Sequence, residues 1–205
     1  MNLPTRFTCI AFIVVLSGCS IRPSADGVVR SPGDGFHAEL EKLCGKAFAG
    51  RVLVDTPAPT GADPFADKPL VMHVRECRAE EIRIPFHVGD DRSRTWVFTR
   101  NATGLRLKHD HRHADGDDDT GTMYGGDTAA AGTATRQEFP VDEYSKTMFL
   151  REGLTASVTN TWAIEIESGR TFTYELSRPG GRLFRVEFDL RNAVAAPPAP
   201  WGDAN

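Results

Sequence analysis

The sequence contains few cysteines and no motif that pairs them for chemistry. Its 205 residues include Cys9, Cys19, Cys44 and Cys77, and neither CxxC nor CxxCH occurs. This absence removes support for a redox-active thiol pair and for covalently attached haem. GxSxG and HExxH, two common hydrolase motifs, are also absent. These absences count against an enzyme without excluding one.

Basic residues are also fewer than acidic ones. Lys and Arg total 24 against 28 Asp and Glu, which gives a formal net charge of −4. No basic stripe with interleaved aromatic residues occurs in the chain. Both observations argue against a nucleic-acid partner.

Long apolar runs are missing as well. The longest run, FTCIAFIVVL at residues 7–16, is much shorter than the roughly twenty residues that a membrane-spanning helix takes. It follows Arg6 and leads into the small residues Ser17 and Gly18. A basic start, a short apolar run and small residues before a cleavage point are typical of an export signal.

The motif LSGC at residues 16–19 resembles the lipobox of bacterial lipoproteins, and the resemblance covers residues 1–20. It implies that residues 1–18 are a signal peptide and that Cys19 becomes the first residue, carrying fatty acids such as palmitate. Ser20, in place of an aspartate, implies the outer membrane, with the domain facing the periplasm. Two or more acyl chains anchor a protein stably. The expected membrane contact is therefore the lipid on Cys19.

The chain divides into four predicted parts. Residues 1–18 form the signal peptide, and residues 19–34, which contain Pro, Gly and Ser without periodicity, form a flexible tether. Residues 35–192 form one domain, long enough for a sizeable core. Residues 193–205 are of low complexity and are predicted to be a disordered tail.

Two cysteines remain once Cys9 is cleaved off and Cys19 is lipidated. Cys44 and Cys77 form an even pair in an oxidising compartment, so the sequence predicts a disulfide between them. The alternative is two buried free thiols.

The domain pattern is mainly that of β-strands. A short helix is predicted from Phe36 to Cys44, with Asp34 as its cap. Apolar and polar residues then alternate with period two, as in FRVEFDL at residues 184–190. This favours a single antiparallel up-and-down β-barrel of roughly eight to ten strands, with a two-sheet sandwich as the alternative. One more short helix is expected from Gln137.

Two resemblances accompany this fold. A helix that leads into consecutive hairpins resembles the lipocalin-like (calycin) proteins in outline, although no lipocalin motif occurs. That likeness implies a barrel with a cavity for a small-molecule ligand. The segments PFHVGDDRSRTW and LKHDHRHADG resemble parts of uncharacterised bacterial envelope lipoproteins, which implies no activity.

Three histidines alternate in GLRLKHDHRH. His109, His111 and His113 share the parity of Leu105 and Leu107, so the row is predicted to face the interior. His109 and His113 would lie about 13 Å apart along a strand, so only neighbouring pairs could share one zinc ion.

Three interpretations of these histidines are possible. Two neighbouring histidines together with a carboxylate would make a zinc site, as in a metal-dependent hydrolase. A polar pocket lining and metal-free acid–base catalysis are the alternatives. His73 and His87, opposite apolar neighbours, are expected to face outward.

Two charged segments complete the candidates. Arg92 and Arg94 lie in GDDRSRT between two strands, where a turn with local ion pairs is the alternative to a rim that binds an anionic ligand. The aspartates of DGDDD at residues 115–119 do not complete an EF-hand, because Thr120 and Gly126 stand where that loop needs Gly and Glu. A solvated loop is expected there, with an irregular calcium site as the alternative.

The sequence as a whole predicts a lipid-anchored cell-envelope protein whose β-barrel binds a small ligand or has a structural role. A metal-binding protein or metal-dependent hydrolase that uses the histidine row is one alternative. An envelope protein-interaction module is another. The ligand, the metal, any protein partner and the oligomeric state stay open.

Overall fold

The computed structural model describes Met1 and residues 30–203. Cys19 lies outside the described residues, as do most of the predicted signal peptide and tether. Where the chain is described, none of the helices combines the length and apolarity needed to cross a bilayer.

The predicted mainly β fold is confirmed: the domain is a nearly closed antiparallel barrel. In the described residues the strands are β1 (Ala47–Thr56), β2 (Leu70–His73), β3 (Glu76–Cys77), β4 (Glu81–Val88), β5 (Asp91–Asn101), β6 (Gly104–His111), β7 (Tyr124–Asp127), β8 (Arg136–Pro140), β9 (Thr161–Glu167), β10 (Thr171–Arg178) and β11 (Arg182–Val194). Their order is β7-β6-β5-β4-β2-β1-β11-β10-β9-β8, with β3 beside β4. The chain therefore runs as an up-and-down meander that the pairing of β1 with β11 turns into a ring. This architecture is compatible with that of the calycins.

The alternating pattern arises because each strand has one face toward the barrel interior. In β11, Phe184, Val186, Phe188 and Leu190 are buried, while the residues between them are more exposed. Gly50 of β1 lies directly against Phe188, where a Cβ atom would come within 2.5 Å of the ring. Large side chains from all around the barrel therefore fill its middle.

One end of the barrel is plugged by helix α1 (Pro32–Glu41). Ser31 is the cap, since its side chain accepts a hydrogen bond from the backbone N–H of Asp34, and Pro32 follows it at a position that tolerates proline. The helix thus begins before the predicted cap. Phe36 and Leu40 are fully buried against the barrel.

The seam between β7 and β8 is sealed by helix α2 (Glu143–Arg151) rather than by a strand ladder. The backbone N–H of Gly125 donates to Oγ of Ser145 at 2.8 Å, and that hydroxyl donates to the carbonyl of Gly125 at 3.1 Å. The backbone N–H of Asp142, the residue that caps α2, donates to the same carbonyl at 2.9 Å. A short 3-10 helix, Thr155–Thr159, then leads into β9.

The disulfide between Cys44 and Cys77 is present, with Cα atoms 6.2 Å apart. It joins the residues that follow α1 to the two-residue strand β3. The helix plug and the adjacent barrel wall are therefore covalently connected.

Removal of this disulfide is expected to lower the free energy of unfolding by about 3–4 kcal/mol, because the unfolded chain regains the entropy of a loop with a sequence separation of 33. The double variant Cys44→Ser, Cys77→Ser and the chemically reduced protein are to be compared by urea denaturation. Both should lose the same amount. A loss below about 1 kcal/mol in both would show that the crosslink does not stabilise the domain.

The C-terminal segment lies against the barrel, although the sequence predicts a disordered tail for residues 193–205. The backbone N–H of Trp201 donates to the carbonyl of Arg92, and Nη1 of Arg92 donates to the carbonyl of Ala199 at 3.0 Å. Asp203 pairs with Arg75 at 3.4 Å. Two arginines of the barrel thus hold residues 199–203 in place.

His73 and His87 are buried, at 7% and 4% exposure, although alternation predicts that they face outward. They do alternate with the core residues Met72 and Phe86. The pKa of His87 is lowered to about 4, first by burial and then by the charge of Arg92, which also anchors the tail. Alternation predicts on which side of the strand a residue lies. It does not predict whether another part of the chain packs over the outer side and buries it.

Candidate functional site

A cavity of about 180 Å³ opens at the end of the barrel away from α1. The β5–β6 hairpin spans both ends: Arg100 pairs with Asp34 of α1 at one, and Arg94 lies opposite His111 at the other. We call this space the mouth cavity. It is lined by Phe65, Phe86, Arg94, Thr95, Trp96, His109, His111, Tyr124, Tyr174, Leu176, Arg182 and Phe184.

His109 forms the deep polar point of the wall and is 3% exposed. Its Nδ1 lies 3.1 Å from the backbone carbonyl of Tyr124, and its Nε2 lies 3.0 Å from the hydroxyl of Tyr174. A carbonyl can only accept, so Nδ1 carries the proton. Burial lowers the pKa of His109 to about 3, so the ring is neutral at pH 7 and Nε2 accepts from Tyr174. Both ring nitrogens are therefore engaged.

His111 lies nearer the opening and is bound to Tyr124. The hydroxyl of Tyr124 is 3.1 Å from Nε2 of His111, and its ring stacks on His109 with centroids 4.5 Å apart. Burial, followed by the positive charge of Arg94, lowers the pKa of His111 to about 4. Burial raises the pKa of Tyr124 to about 12. All three side chains are therefore uncharged at neutral pH.

The floor of the mouth cavity is a stack of aromatic rings. The rings of Phe86 and Trp96 lie 5.0 Å apart at 18°, and those of Trp96 and Tyr174 lie 4.7 Å apart at 13°. Offset stacking of this kind adds to the stability gained by burial. The result is a closely packed aromatic layer beneath the opening, which presents mainly ring edges to the cavity.

Two arginines stand at the rim. Nη1 of Arg94 donates to Asp91 at 2.6 Å. Arg182 pairs with Asp55, and its guanidinium lies 5.7 Å from the ring centroid of Phe184. Arg92, the other rim candidate from the sequence, instead holds the tail through Ala199.

His113 is separated from the other two histidines. Strand β6 ends at His111, and His113 lies exposed in the loop that follows, where its backbone N–H donates to the carbonyl of Asp117 at 2.8 Å. The predicted inward row therefore holds His109 and His111 only. Asp115 and Asp117 are exposed in the same loop, in agreement with the solvated loop expected there.

The donor set does not fit a zinc ion. Among residues 30–203, no group of three or more His, Cys, Asp or Glu side chains is arranged to hold a metal. Zinc binding to His109 would also have to break one of its two buried hydrogen bonds. The hydrolase reading of this pair thus has no geometric support.

Sequence reasoning missed most of the side chains that shape the mouth cavity, among them Tyr124, Tyr174, Trp96 and Arg182. Trp96 and Tyr174 lie in strands that the alternation predicts. The sequence therefore indicates that both side chains point inward, but not that their rings contact each other. Arg182 follows the Gly180-Gly181 turn, whose position places it at the mouth. Tyr124 precedes two glycines in a segment without strand periodicity.

In comparisons with models of protein families, with curated proteins and with solved structures, nothing matches this chain.

Proposed function

We propose that this is a lipid-anchored protein of the bacterial cell envelope whose barrel binds a small molecule in the mouth cavity. The observation that carries the binding function is the cavity itself. A concave site with mostly apolar walls and a few convergent polar groups is the usual form of a small-molecule site.

The contrast with the rest of the barrel supports this proposal. Below the aromatic floor, the interior is filled by fully buried side chains such as Phe98, Phe172 and Phe188. A purely structural barrel has no need of an opening at one end that is lined by two arginines and two histidines. The polar groups are thus concentrated where a ligand could enter.

Membrane anchoring rests on the resemblance of residues 16–19 to a lipobox. Helix α1 begins at Pro32 and plugs the end of the barrel away from the mouth cavity. A chain tethered through Cys19 and entering at α1 would be attached at the end opposite its mouth, which leaves the cavity accessible from the periplasm. We propose the outer membrane as its location on the basis of Ser20.

The competing functions have less support. Within residues 30–203, the metal function lacks a third ligand that is arranged with His109 and His111 to hold an ion. An interaction module would need a large contiguous apolar outer surface, whereas the exposed large apolar side chains of the described residues, such as Tyr144, Leu150 and Leu154, are few, as is normal on monomers.

A thermal-shift screen of small molecules tests the binding function. A ligand at one hundred times its dissociation constant stabilises the folded state by about 2.7 kcal/mol. The variant Leu176→Trp fills the mouth cavity, and Leu53→Trp adds the same side chain at an exposed position of β1. Compounds that stabilise the wild type and Leu53→Trp, but not Leu176→Trp, support the proposal. The proposal fails if no compound shifts the wild type, or if every shift persists in Leu176→Trp.

The screen includes zinc chloride, which distinguishes the metal-binding function from the binding of a small organic ligand. A zinc-dependent shift that disappears in His111→Ala would favour the metal function over the ligand function.

Replacement of Cys19 tests the anchor. In bacteria that express the full chain, Cys19→Ala is expected to abolish incorporation of labelled palmitate and to move the protein out of the membrane fraction, because the acceptor thiol is gone. Cys9→Ala, within the predicted signal peptide, should change neither result. Labelling that persists in Cys19→Ala would exclude lipidation at this residue.

A further inference from the structure

We infer that the ligand of the mouth cavity is a small anion built on one aromatic ring, of the size of benzoate, with its carboxylate at Arg94 and Arg182 and its ring against the edge of the aromatic stack that contains Trp96. The inference rests on the proposed ligand-binding function and specifies the chemistry of the ligand. Four properties of the site carry it: charge, unused donors, volume and depth.

The charge of the lining is positive. At pH 7 the formally charged side chains among the lining residues are Arg94 and Arg182, whereas their partners Asp91 and Asp55 do not line the cavity. His109 and His111 stay neutral because burial lowers their pKa values to about 3 and about 4. Tyr124 is a neutral phenol, since burial raises its pKa to about 12. A ligand that complements this lining is an anion.

Both arginines retain hydrogen-bond donors for such an anion. Arg94 uses Nη1 for Asp91, and Arg182 uses Nη1 for Asp55 and for two backbone carbonyls at 3.3 Å. Within residues 30–203, Nε and Nη2 of either side chain have no hydrogen-bond acceptor from the protein. The aspartates thus orient the guanidinium groups and leave donors available. A planar guanidinium matches the two oxygens of a carboxylate.

The volume of the mouth cavity suits a ligand whose apolar part is one ring. The mouth cavity measures about 180 Å³, and an apolar protein cavity of about 150 Å³ takes up benzene. The floor rings of Phe86, Trp96 and Tyr174 lie within 18° of parallel in successive pairs. These rings cover one another's faces, so the stack presents ring edges to the cavity, against which the flat face of an aromatic ligand packs better than a branched alkyl group.

The depth excludes a long acyl chain. Beneath Trp96 the rings of Phe172 and Phe188 lie 6.0 Å from it and are fully buried. A fatty acid would need a channel through this layer. The ligand must therefore be short as well as anionic.

Isothermal titration calorimetry of the purified full-length protein at low ionic strength tests the inference with four probes. Benzoate has the predicted ring and charge, benzamide lacks the charge, cyclohexanecarboxylate lacks the flat ring, and 1-naphthoate adds a second ring. We expect benzoate to bind at least about tenfold more tightly than each of the other three.

Substitutions of the two arginines test whether they bind the carboxylate of the ligand. Arg94→Gln and Arg182→Gln should each weaken benzoate binding about tenfold and leave benzamide binding within about twofold. Arg51→Gln is the matched control, because Arg51 is an exposed arginine of β1 that pairs with Glu187 outside the cavity. It should leave all four affinities unchanged. Melting temperatures close to that of the wild type establish that the variants are folded.

Other results overturn the inference in distinguishable ways. Equal binding of benzoate and benzamide, unchanged in both arginine variants, would refute the anion while the ligand-binding function stands. Tighter binding of cyclohexanecarboxylate or 1-naphthoate would refute the single flat ring. If none of the four probes binds, the inferred class is wrong, and the broader screen with Leu176→Trp decides separately whether the cavity binds any ligand.

Discussion

The substitution Gly126→Ala is expected to destabilise the protein by about 3 kcal/mol or more, because it places a methyl group where the barrel closes. A Cβ atom at Gly126 would lie 1.7 Å from the carbonyl oxygen of Pro140 and 2.8 Å from its carbonyl carbon. Both atoms belong to the backbone, which cannot rotate away as a flexible side chain can. Urea denaturation followed by far-ultraviolet circular dichroism measures the loss.

Gly61→Ala is the matched control for this substitution. A Cβ atom at Gly61 would meet no heavy atom within 4 Å, so the same chemical change should alter stability by less than about 0.5 kcal/mol. If the two variants were equally stable, the close approach of Gly126 to Pro140 would not be needed for closure.

Closure of the barrel and construction of the cavity are linked through adjacent residues. Gly125 accepts the hydrogen bonds from Asp142 and Ser145 that seal the seam, and Tyr124 immediately precedes it. Tyr124 in turn stacks on His109 and binds His111. A Gly126→Ala protein that still folds should therefore also show weakened binding in the mouth cavity.

The sequence was most informative where the environment is simplest. Strands such as β9, β10 and β11 have one face in the core and one in water, so their alternation follows directly from solvation. Strand β7, with the sequence YGGD, lacks alternation because its two central residues are glycines that permit close backbone contact. Its role in closing the barrel depends on Pro140 and α2, which no local pattern contains.

The sequence predicts which side chains of the site point into the barrel, but not which side chains come together there. Parity places His109 and His111 inward, as the structure has them, because both lie within β6. The same reasoning includes His113, but parity holds only while the strand continues, and β6 pairs with β7 no further than His109 and Tyr124. Arg94 and Arg182 lie on β5 and β11, which β4, β2 and β1 separate, so their meeting at one rim depends on the curvature of the whole sheet and not on a local pattern.

Acidification is expected to remove several kcal/mol of stability between pH 6.5 and about pH 4, through the buried neutral histidines. Burial is the largest cause that lowers the pKa of His109 to about 3 and those of His87 and His111 to about 4, against 6.5 for an unperturbed histidine. Below pH 6.5 the unfolded chain therefore binds protons that the folded chain does not. The free energy of unfolding falls as the pH decreases, until the folded-state pKa values are reached.

This pH range separates the histidines from the carboxylates. Burial raises the pKa values of Asp91 and Asp110, but hydrogen bonds and neighbouring arginines outweigh it and hold both below 3.8, so their contribution is present above pH 3.8 and is lost only at more acidic pH. Each fully buried neutral histidine should contribute a slope of about 1.3 kcal/mol per pH unit near pH 5. Urea denaturation at half-unit intervals from pH 4.5 to pH 7.5 measures the total slope.

His109→Gln identifies the contribution of the histidine inside the mouth cavity. The variant is expected to be less stable at pH 7, because it loses the stacking on Tyr124 and part of the hydrogen bonding of His109. Its slope near pH 5 should nevertheless be smaller than that of the wild type by about 1.3 kcal/mol per pH unit, since one proton fewer is bound on unfolding. His113→Gln, at an exposed loop position, should keep the wild-type slope.

An unchanged slope in His109→Gln would mean that His109 binds its proton in the folded protein as readily as in the unfolded chain. The wall of the mouth cavity would then carry a charge near pH 5 that its hydrogen bonds to Tyr124 and Tyr174 do not provide for.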